Sequence, residues 1–459
     1  MKKYTDGFIS ELTKKIDKKC IYLDQERLEA YDFDGTDAHY MPDVVVEPVS
    51  TAQVSELMKL ASTYRVPVIP RGTGTGLTGG ALAIQGGVIL SLLKMNKILK
   101  IDEQDMIAVV QPGVINLHLH QAAEKKGLYY PPDPASYETS SIGGNIAEDA
   151  GGPHCFKYGT TRDYVLGMVV VLPDGNIINT GVQTRKGVVG YDLNNLIIGA
   201  EGTLGIVTEA TLRLIPLPQN VVTLLAFFPN ILDVINSITA LAQKRIIPAT
   251  MEFMDKSCLK LIRGKIPFTI PENIEVLSII ELDGETEMIK KQTEIVGEVC
   301  FENNVFDLFI ADSSHKRKGL WDVRRKFREI LKESVRYKRG EDIVVPISKI
   351  PDFIAGSLKI AKKYGLKNYN YGHIGDGNVH ANLTHNKKST EILQQGGLAF
   401  KEIFELTLKL GGTISGEHGI GITKQPFLNL ELSPESIRLQ KEIKRIFDPY
   451  NIMNPGKIF

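Results

Sequence analysis

Three glycine-rich segments in the first half of the chain constrain its fold more than any other feature. The first is Pro70-Arg71-Gly72-Thr73-Gly74-Thr75-Gly76-Leu77-Thr78-Gly79-Gly80, in which five of the nine residues from Gly72 to Gly80 are glycine. Glycines interleaved with threonines let successive backbone N–H groups converge on an anion, and the hydroxyls add further donors. The segment is therefore typical of a diphosphate-binding loop, although a tight turn is the simpler alternative.

The other two segments make a single turn an insufficient explanation. The second leads from Pro131-Pro132-Asp133-Pro134 to Ser140-Ser141-Ile142-Gly143-Gly144-Asn145, and the third is Gly199-Ala200-Glu201-Gly202-Thr203-Leu204-Gly205-Ile206. Several close backbone approaches to one extended ligand account for all three segments.

A Rossmann dinucleotide site is the main alternative for the first segment. Gly74, Gly76 and Gly79 match the fingerprint G-x-G-x-x-G, and Asp102 lies near the spacing of a ribose-binding acid. However, Gly86-Gly87 and a β-branched run interrupt the place where the first Rossmann helix should lie. The fingerprint alone is weak evidence.

The composition indicates a globular, multidomain protein without a general affinity for nucleic acid. The chain has 459 residues, 43% of them hydrophobic and 24% charged, with 54 basic and 54 acidic residues. The isolated cysteines Cys20, Cys155, Cys258 and Cys300 predict no iron–sulfur cluster, zinc knuckle or disulfide. No apolar run is long enough for a membrane span or a signal peptide, so a soluble, cytoplasmic protein is expected.

Hydrophobic periodicity divides the chain into four segments. Residues 1–40 contain an amphipathic helix with Phe8, Ile9, Leu12 and Ile16 on one face. Residues 41–217 contain short strands around a helix at Ser50–Tyr64 and end at the proline-rich Leu214–Pro218. Residues 218–410 alternate strands and helices, which predicts an α+β layer domain, and residues 411–459 form a C-terminal segment.

Two histidine motifs in the last quarter of the chain predict a metal or catalytic site. In Gly372-His373-Ile374-Gly375-Asp376-Gly377-Asn378-Val379-His380-Ala381-Asn382, the glycines predict a turn that brings both imidazoles together. Ser415-Gly416-Glu417-His418-Gly419 adds an adjacent carboxylate and imidazole. Two histidines and a carboxylate suit Zn²⁺, Fe²⁺ or Mn²⁺, whereas turns with incidental histidines are the alternative.

In this order, the segments resemble the vanillyl-alcohol-oxidase/PCMH flavoprotein superfamily, in particular its branch of D-lactate dehydrogenases, glycolate oxidase catalytic subunits and D-2-hydroxyglutarate dehydrogenases. The resemblance extends from about residue 40 to Phe459 and implies an α+β fold. It implies a PCMH-type FAD-binding domain, a ferredoxin-like α+β substrate or cap domain, and a C-terminal segment that returns to the flavin.

The resemblance also implies the FAD-binding residues. The first loop would hold the diphosphate, and the other two segments would contact the adenosine and flavin. The chain ends with Asn454-Pro455-Gly456-Lys457, which resembles the closing motif of the family, and its lysine would lie near the flavin. The implied residues are Arg71, Gly72, Thr73, Gly74, Thr75, Gly76, Leu77, Thr78, Gly79, Pro132, Asp133, Thr139, Gly143, Gly144, Asn145, Glu201, Gly202, Ile206, Val207, Asn454 and Lys457. Because no histidine lies between residues 40 and 117, tethering at the first loop is excluded and FAD is expected to be non-covalent.

In the same branch, the histidine motifs bind a divalent metal and supply the base. Carried over, the metal ligands are His373, His380 and Glu417, and His418 is the catalytic base. Asn382 and Arg324 would bind the substrate, although Arg324 could equally be a charge on a helix surface. Arg328 and Gly340 stand where D-2-hydroxyglutarate dehydrogenases carry a threonine and a lysine, which favours a small substrate such as lactate.

The resulting functional prediction is FAD- and metal-dependent oxidation of a small D-2-hydroxy acid, with D-lactate as the first choice. Glycolate or D-2-hydroxyglutarate oxidation in the same family is the nearest alternative. Other chemistry on the same flavin domain, such as ether-lipid synthesis or nicotinamide-dependent reduction, and an electron-transfer subunit without its own substrate are more distant ones. The predicted electron acceptor is an electron-transferring flavoprotein, an iron–sulfur subunit or a quinone-linked protein, and an oligomer or multi-subunit complex is left open.

Overall fold

The computed structural model describes residues 5–266, 269–311 and 313–459. Its chain divides into two compact units. The first comprises the residues up to Gly152, Gly159–Leu217 and Glu417–Phe459, and the second comprises Pro153–Tyr158 and Pro218–Gly416. The predicted boundary between residues 217 and 218 coincides with a boundary between the units. The chain returns to the first unit at Glu417 rather than at residue 411, and residues before 41 belong to this unit as well.

The elements up to Pro216 are short. They are α1 Thr5–Lys15, β1 Ile21–Tyr22, α2 Gln25–Glu29, β2 Val44–Val46, α3 Thr51–Tyr64, β3 Val68–Arg71, β4 Val88–Ser91, β5 Ile98–Asp102, β6 Ile107–Val110, α4 Asn116–Glu124, β7 Leu128–Tyr129, α5 Ile142–Glu148, α6 Cys155–Tyr158, β8 Val165–Val171, β9 Ile177–Gly181, α7 Leu193–Ile197, β10 Ile206–Arg213 and β11 Ile215–Pro216.

Longer elements follow. They are β12 Asn220–Phe228, α8 Ile231–Gln243, β13 Thr250–Met254, α9 Lys256–Ile262, β14 Val276–Gly284, α10 Thr286–Glu302, β15 Asp307–Ala311, α11 Ser314–Ser334, β16 Tyr337–Val344, α12 Ile350–Lys363, β17 Lys367–His373, β18 Asn378–His385, α13 Thr390–Lys409, α14 Leu428–Glu431 and α15 Pro434–Phe447.

The first unit contains two main sheets. One has the order β1-β2-β4-β3 and is parallel except at β1, and the other is antiparallel in the order β5-β6-β10-β8-β9. Because side chains alternate along a strand, Val44, Val46 and Val68 face a core that contains α1 and α3, whereas Val45 and Ile69 face the other side. The predicted amphipathic helix is confirmed, since Phe8, Leu12 and Ile16 lie in that core.

The second unit is a seven-stranded antiparallel sheet in the order β15-β12-β14-β13-β17-β18-β16. Strands β12 to β15 with α8 and α10 follow the βαββαβ order of a ferredoxin-like motif. One sheet face packs its apolar residues against Cys258, Leu259 and Ile262 of α9 and Val323, Phe327 and Leu331 of α11. Helices α10, α12 and α13 also contact the strands, which are buried on both faces.

Two predictions about local chemistry are settled by the fold. No helix begins between Gly72 and the start of β4 at Val88, so the Rossmann alternative for the first loop is excluded. The four cysteines are free thiols, as their spacing predicts. Within the described ranges, no helix combines the length and apolar character needed to cross a bilayer.

Candidate functional site: a cofactor cradle and a histidine–carboxylate sheet face

The first glycine loop follows β3 in the first unit. It packs so closely against its neighbours that side chains would not fit at several of its glycines. Gly74 and Gly79 have φ angles of +73° and +85°, in the region that glycine tolerates best. A Cβ atom on Gly72 would lie only 2.1 Å from Oγ of Ser141, the residue that caps α5. The loop backbone therefore lies directly against the start of the second glycine segment.

The second glycine segment forms the first turns of α5. Ser141 Oγ accepts a hydrogen bond from the Gly144 N–H at 3.3 Å, and a Cβ atom on Gly143 would lie 2.6 Å from Cβ of Pro112. Asn145 is 3% exposed, and its Nδ2 is buried without a hydrogen-bond partner among the described residues. A buried amide donor of this kind costs free energy unless an acceptor reaches it, which fits a bound cofactor.

The third segment is tied to the end of the chain through Glu201. Its carboxylate accepts hydrogen bonds from the backbone N–H groups of Ile420 and Gly421, each at 2.7 Å. Asn454 Nδ2 donates to the carbonyl oxygens of Gly80 and Glu201, at 2.9 and 2.8 Å. Both predicted cofactor residues thus hold backbone segments of the first unit in place around the first loop.

Lys457 lies in the same interior and is 3% exposed. Its Nζ donates to the carbonyl oxygen of Leu82 at 2.7 Å and to Asn454 Oδ1 at 3.2 Å. Burial lowers the pKa of the Lys457 ammonium to about 8, although the carboxylates of Glu201 and Asp34 oppose that shift. Lys457 thus places a buried ammonium group with a pKa of about 8 beside the first glycine loop.

The remaining predicted cofactor residues have varied surroundings. Arg71 is 4% exposed and donates to the Ala81 carbonyl at 3.3 Å. The Pro132 carbonyl accepts from Asn116 Nδ2 at 3.1 Å. Thr139 is exposed, and Ile206 and Val207 are buried in β10. A Cβ atom on Gly202 would lie 2.9 Å from Pro70, and one on Gly76 would meet only Glu148.

Sequence reasoning missed two acids beside the first loop, Asp34 and Glu148. The Gly35 N–H donates to the Gly76 carbonyl at 2.9 Å, which places Asp34 next to the loop. A Cβ atom on Gly80 would lie 3.1 Å from Glu148 Oε1. A usable signal was present for Glu148, which ends the segment Gly143-Gly144-Asn145-Ile146-Ala147-Glu148 that the second glycine motif opens; no such signal marked Asp34.

These observations fit FAD as the ligand of the first unit. The glycine positions let the loop backbone lie directly against Ser141, Arg71 and Ile422, where Cβ atoms would collide, and an unsatisfied amide donor lies in the adjoining helix. Arg71 and Lys457 supply buried positive charge for a diphosphate.

In the second unit, the sheet brings the two predicted histidines together. Strands β17 and β18 are joined by a turn at residues 374–377 and pair so that Tyr371 lies opposite His380. The ring centroids of His373 and His380 are 5.3 Å apart. The turn predicted from Gly375-Asp376-Gly377 therefore has the expected effect, because it places both imidazoles on one sheet face.

A buried glutamate orients His373. Glu252 lies opposite His373 in the β13–β17 pair, is 1% exposed and contacts Nδ1 of His373 through Oε1. Burial raises the pKa of the Glu252 carboxyl, but His373 and Arg324 outweigh burial and hold this pKa below its usual value. An ionised carboxylate only accepts, so His373 donates from Nδ1, and in the neutral form of this imidazole the lone pair is on Nε2. This carboxylate–histidine pairing is typical of metal ligands.

His380 lies beside a second buried acid, Asp342. The two residues are opposite each other in the β16–β18 pair, and His380 Nδ1 is 3.9 Å from Asp342 Oδ1. Asp342 is fully buried and also accepts from Asn378 Nδ2 and, at 2.7 Å, from the Gly416 N–H. That last contact fixes the backbone one residue before Glu417.

Arg324 lies in the interior of the second unit and not on a helix surface. Its side chain is 11% exposed, its Nε donates to Glu252 Oε2 at 2.9 Å, and its guanidinium lies 4.2 Å from the ring centroid of Tyr371. Glu252 thus links Arg324 to His373. Asn382 is 2% exposed and lies opposite Gly340, where a Cβ atom would be 2.7 Å from Asn382 Oδ1.

Glu417 and His418 lie in the first unit. Their side chains approach to 3.9 Å, between Glu417 Oε1 and His418 Nε2. The His418 carbonyl accepts a hydrogen bond from Thr78 Oγ1 of the first glycine loop at 3.2 Å. The predicted base is therefore anchored on the predicted diphosphate loop.

The two acids that support the histidines were also missed from the sequence. Glu252 is the one charged residue in the strand Ala249-Thr250-Met251-Glu252-Phe253-Met254, and Asp342 precedes the apolar run Ile343-Val344-Val345. A lone acid in an apolar strand signals a buried carboxylate that needs a partner. The sequence does not say which partner, since the contacts span 121 residues for Glu252 and His373.

Two family models and several named enzymes are similar to this chain. Residues 42–181 match the model of the FAD binding domain, and residues 217–458 match that of FAD linked oxidases, C-terminal domain. The chain is 42% identical to the glycolate oxidase subunit GlcD of Bacillus subtilis, over 94% of this chain and 92% of that protein. It is 38% identical to a D-lactate dehydrogenase of Anaerostipes hadrus, over 91% of this chain and 89% of that protein.

Among solved structures, p-cresol methylhydroxylase with bound substrate has a TM-score of 0.82 at 18% identity, covering all of this chain and 97% of that one. At that identity the likeness establishes the fold, which is the PCMH type with a mixed α+β architecture. Together with the matches to the FAD-domain models and to enzymes at about 40% identity, the fold identifies the chain. This chain is an FAD-linked oxidoreductase that belongs to the D-2-hydroxy acid dehydrogenase branch of the vanillyl-alcohol-oxidase/PCMH flavoprotein superfamily.

Proposed function

We propose that this chain oxidises a small D-2-hydroxy acid, D-lactate before others, to the 2-oxo acid, with non-covalent FAD and a divalent cation. The observation that carries the proposal is the row formed by His373, Glu252 and Arg324, in which one buried carboxylate orients both an imidazole and a guanidinium. A metal ligand and a carboxylate-binding group held by the same residue suit a substrate that carries a hydroxyl beside a carboxylate.

Two bound groups would supply chemistry that side chains lack. FAD held by the first unit would supply an acceptor for the hydride from C2 of the substrate. A cation of the Zn²⁺, Fe²⁺ or Mn²⁺ type, held by His373, His380 and Glu417, would lower the pKa of the substrate hydroxyl. Glu417 directly follows Gly416, whose N–H is held by Asp342, so the chain leads from the acid beside His380 to the third ligand.

The side chains of the protein bind the substrate and move its proton. Arg324 binds the carboxylate, because a guanidinium fork matches it and the Tyr371 ring orients the plane. His418 takes the proton from the hydroxyl oxygen, since an imidazole is suited to general base catalysis near neutral pH. Asn382 supplies an amide on the strand that carries His380.

A small substrate is favoured by the surroundings of Asn382. Gly340, which stands where D-2-hydroxyglutarate dehydrogenases carry a lysine, faces Asn382 so closely that a larger side chain would displace the amide. The relative from Anaerostipes hadrus, named D-lactate dehydrogenase, supports D-lactate. Glycolate is the second candidate, favoured by the 42% identity to the Bacillus subtilis glycolate oxidase subunit.

We also propose that the reduced flavin passes its electrons to a protein partner. The sequence has no cysteine cluster for an iron–sulfur centre. The name of the Bacillus subtilis relative calls it a subunit, which supports a multi-subunit enzyme. An electron-transferring flavoprotein, an iron–sulfur subunit or a quinone-linked protein would serve as acceptor.

The substrate proposal is tested by anaerobic bleaching of the flavin in the purified, metal-loaded protein. D-lactate, L-lactate, glycolate and D-2-hydroxyglutarate are mixed separately with the enzyme, and flavin absorbance is followed. D-lactate should bleach the flavin fastest, glycolate more slowly, and L-lactate hardly at all. Fastest bleaching by D-2-hydroxyglutarate would overturn the substrate assignment, and no bleaching by any of them would overturn the proposed reaction.

A further inference from the structure

The carboxyl group of Glu148 borders the first glycine loop on its inner side. Cβ atoms on Gly76 and Gly80 would lie 3.7 and 3.1 Å from Glu148 Oε1, and one on Gly419 would lie 2.3 Å from Oε2. Oε2 is buried and has no hydrogen-bond partner within the described parts of the chain. An acid is therefore directed at the loop backbone that is predicted to hold the FAD diphosphate, and one of its oxygens is unsatisfied.

A second acid, Glu201, also approaches Gly419, but its carboxylate oxygens have different hydrogen-bond partners. A Cβ atom on Gly419 would lie 2.9 Å from Glu201 Oε1, so both carboxyl groups approach one position. Each oxygen of Glu201 accepts a backbone N–H, from Ile420 and from Gly421. These two donors stabilise the ionised form of Glu201, whereas Oε2 of Glu148 has no such donor in the described parts of the chain. When only one of the two acids carries a proton, that proton lies on Glu148.

The charged groups that face Glu148 support this distribution. Burial raises the pKa of the Glu148 carboxyl well above its usual value, Glu201 and Asp34 raise it further, and Lys424 opposes them. Arg71 and Lys457 are also buried in the first unit. The acids Glu148, Glu201 and Asp34 and the bases Lys424, Arg71 and Lys457 therefore surround the loop. A diphosphate would add two negative charges to this group, and each of them favours the neutral form of the nearest acid.

We propose that Glu148 binds the diphosphate of FAD as a neutral carboxylic acid that donates a hydrogen bond to a phosphate oxygen, so that FAD binding takes up a proton. The carboxyl group is the one neighbour that a Cβ atom on Gly76 would meet, and that glycine lies at the centre of the predicted diphosphate loop. Protonation turns the unsatisfied Oε2 into a donor and removes a negative charge from beside the phosphates.

The sign of the resulting pH dependence follows from linkage. FAD binds better to the protonated form, so binding raises the pKa of Glu148, and affinity is highest at pH values below the pKa in the free protein. As pH rises from the pKa of Glu148 in the free protein to its pKa in the FAD-bound protein, the affinity for FAD falls by up to about tenfold per pH unit.

The test measures the dissociation constant of FAD for the full chain from about pH 6 to about pH 9, by quenching of flavin fluorescence. Wild type should lose affinity as pH rises. Glu148→Gln, which keeps a donor but cannot ionise, should lose less affinity across the range than wild type, and the loss that remains is due to Lys457, whose pKa is about 8. Glu148→Ala should bind FAD weakly at every pH, with the same small dependence. Glu124→Gln, at an exposed glutamate of the same unit, should match wild type.

Calorimetry in buffers of different ionisation enthalpy counts the protons directly. Wild type should take up more protons per FAD than Glu148→Gln at a pH within the sensitive range, and the difference, at most one proton, is the share of Glu148. FAD binding with no proton uptake, or uptake unchanged in Glu148→Gln, would overturn the proposal.

Two fragments of FAD locate the acceptor atom. ADP-ribose carries the diphosphate without the flavin, and riboflavin carries the flavin without phosphate. The binding of ADP-ribose should depend more strongly on pH in wild type than in Glu148→Gln. If the binding of riboflavin, rather than that of ADP-ribose, depended on pH through Glu148, the assignment to the diphosphate would be overturned. None of these measurements involves turnover, so a failure of the proposed substrate chemistry leaves them interpretable.

Discussion

Buried acids beside the two predicted sites differ in how fully their oxygens are paired. In the second unit, Glu252, Glu281 and Asp342 line one sheet face, and each accepts hydrogen bonds from at least two neighbours of that unit. In the first unit, Glu201 is paired in the same way, but Glu148 Oε2 and Asn145 Nδ2 are buried without partners among the described residues. The acids beside His373 and His380 are thus oriented before any ligand arrives, whereas Glu148 and Asn145 keep atoms that a ligand could pair.

This difference has a physical basis. A metal site requires fixed ligand directions, and a carboxylate that holds the Nδ1 of a histidine provides them in advance. A diphosphate cradle must instead keep donors available for oxygens that come from the ligand. Buried donors that stay unsatisfied cost stability, so the first unit should gain more from its cofactor than the second gains from its metal.

The largest expected effect is on catalysis itself. His418→Ala should lower kcat with D-lactate by about 10²–10⁴-fold, because the substrate hydroxyl would lose its base. FAD should remain bound, since His418 contacts the loop of the first unit through its backbone carbonyl. The measurement is steady-state turnover together with the flavin spectrum of the purified variant. A variant that keeps most of its kcat would show that the base lies elsewhere.

The next largest effect is on metal binding, and it distinguishes Glu252, which orients a predicted metal ligand, from Glu281, which has a structural role on the same sheet face. Glu252→Gln should weaken metal binding by about 10–100-fold, because His373 would lose the carboxylate that holds its Nδ1. It should also lower the free energy of unfolding by about 3–5 kcal/mol, since Arg324 would be left as an unpaired buried charge. Metal titration and chemical denaturation measure the two quantities.

The matched control is Glu281→Gln. Glu281 accepts from Trp321 Nε1 at 3.0 Å and from His154 Nε2 at 3.2 Å, away from both predicted ligands in the second unit. This variant should lose stability while its metal affinity stays unchanged. Equal losses of metal affinity in both variants would mean that the sheet face responds as a whole and that Glu252 has no special role.

A smaller effect contrasts two glycines. Gly72→Ala should weaken FAD binding by about fivefold or more, because the new Cβ would push away Ser141, which caps α5, and a helix cap contributes about 1 kcal/mol. Gly319→Ala in α11, where a Cβ atom meets nothing within 4 Å, should leave FAD binding unchanged and slightly stabilise the helix. Titration with FAD and thermal unfolding measure the two outcomes. Unchanged FAD binding in Gly72→Ala would contradict the tight approach of loop and helix.

Local chemistry was predictable from the sequence, and long-range pairing was not. The helix predicted at Ser50–Tyr64 is found at Thr51–Tyr64 with Ser50 as its cap, because hydrophobic spacing and capping residues act locally. The turn between His373 and His380 was predictable for the same reason. Glu252 and Glu148 were missed because their roles depend on residues far away in the chain. The register of the sheet decides which groups Glu252 meets, and the position of a helix end beside the first loop decides this for Glu148.

The measurement that tests the central account most directly is the anaerobic reduction of bound FAD by D-lactate before and after removal of the metal. The account predicts rapid bleaching in the metal-loaded enzyme, bleaching at least about 100-fold slower after chelation, and recovery when Zn²⁺, Mn²⁺ or Fe²⁺ is added. Bleaching at the same rate in metal-free protein would contradict the role given to the histidine–carboxylate face.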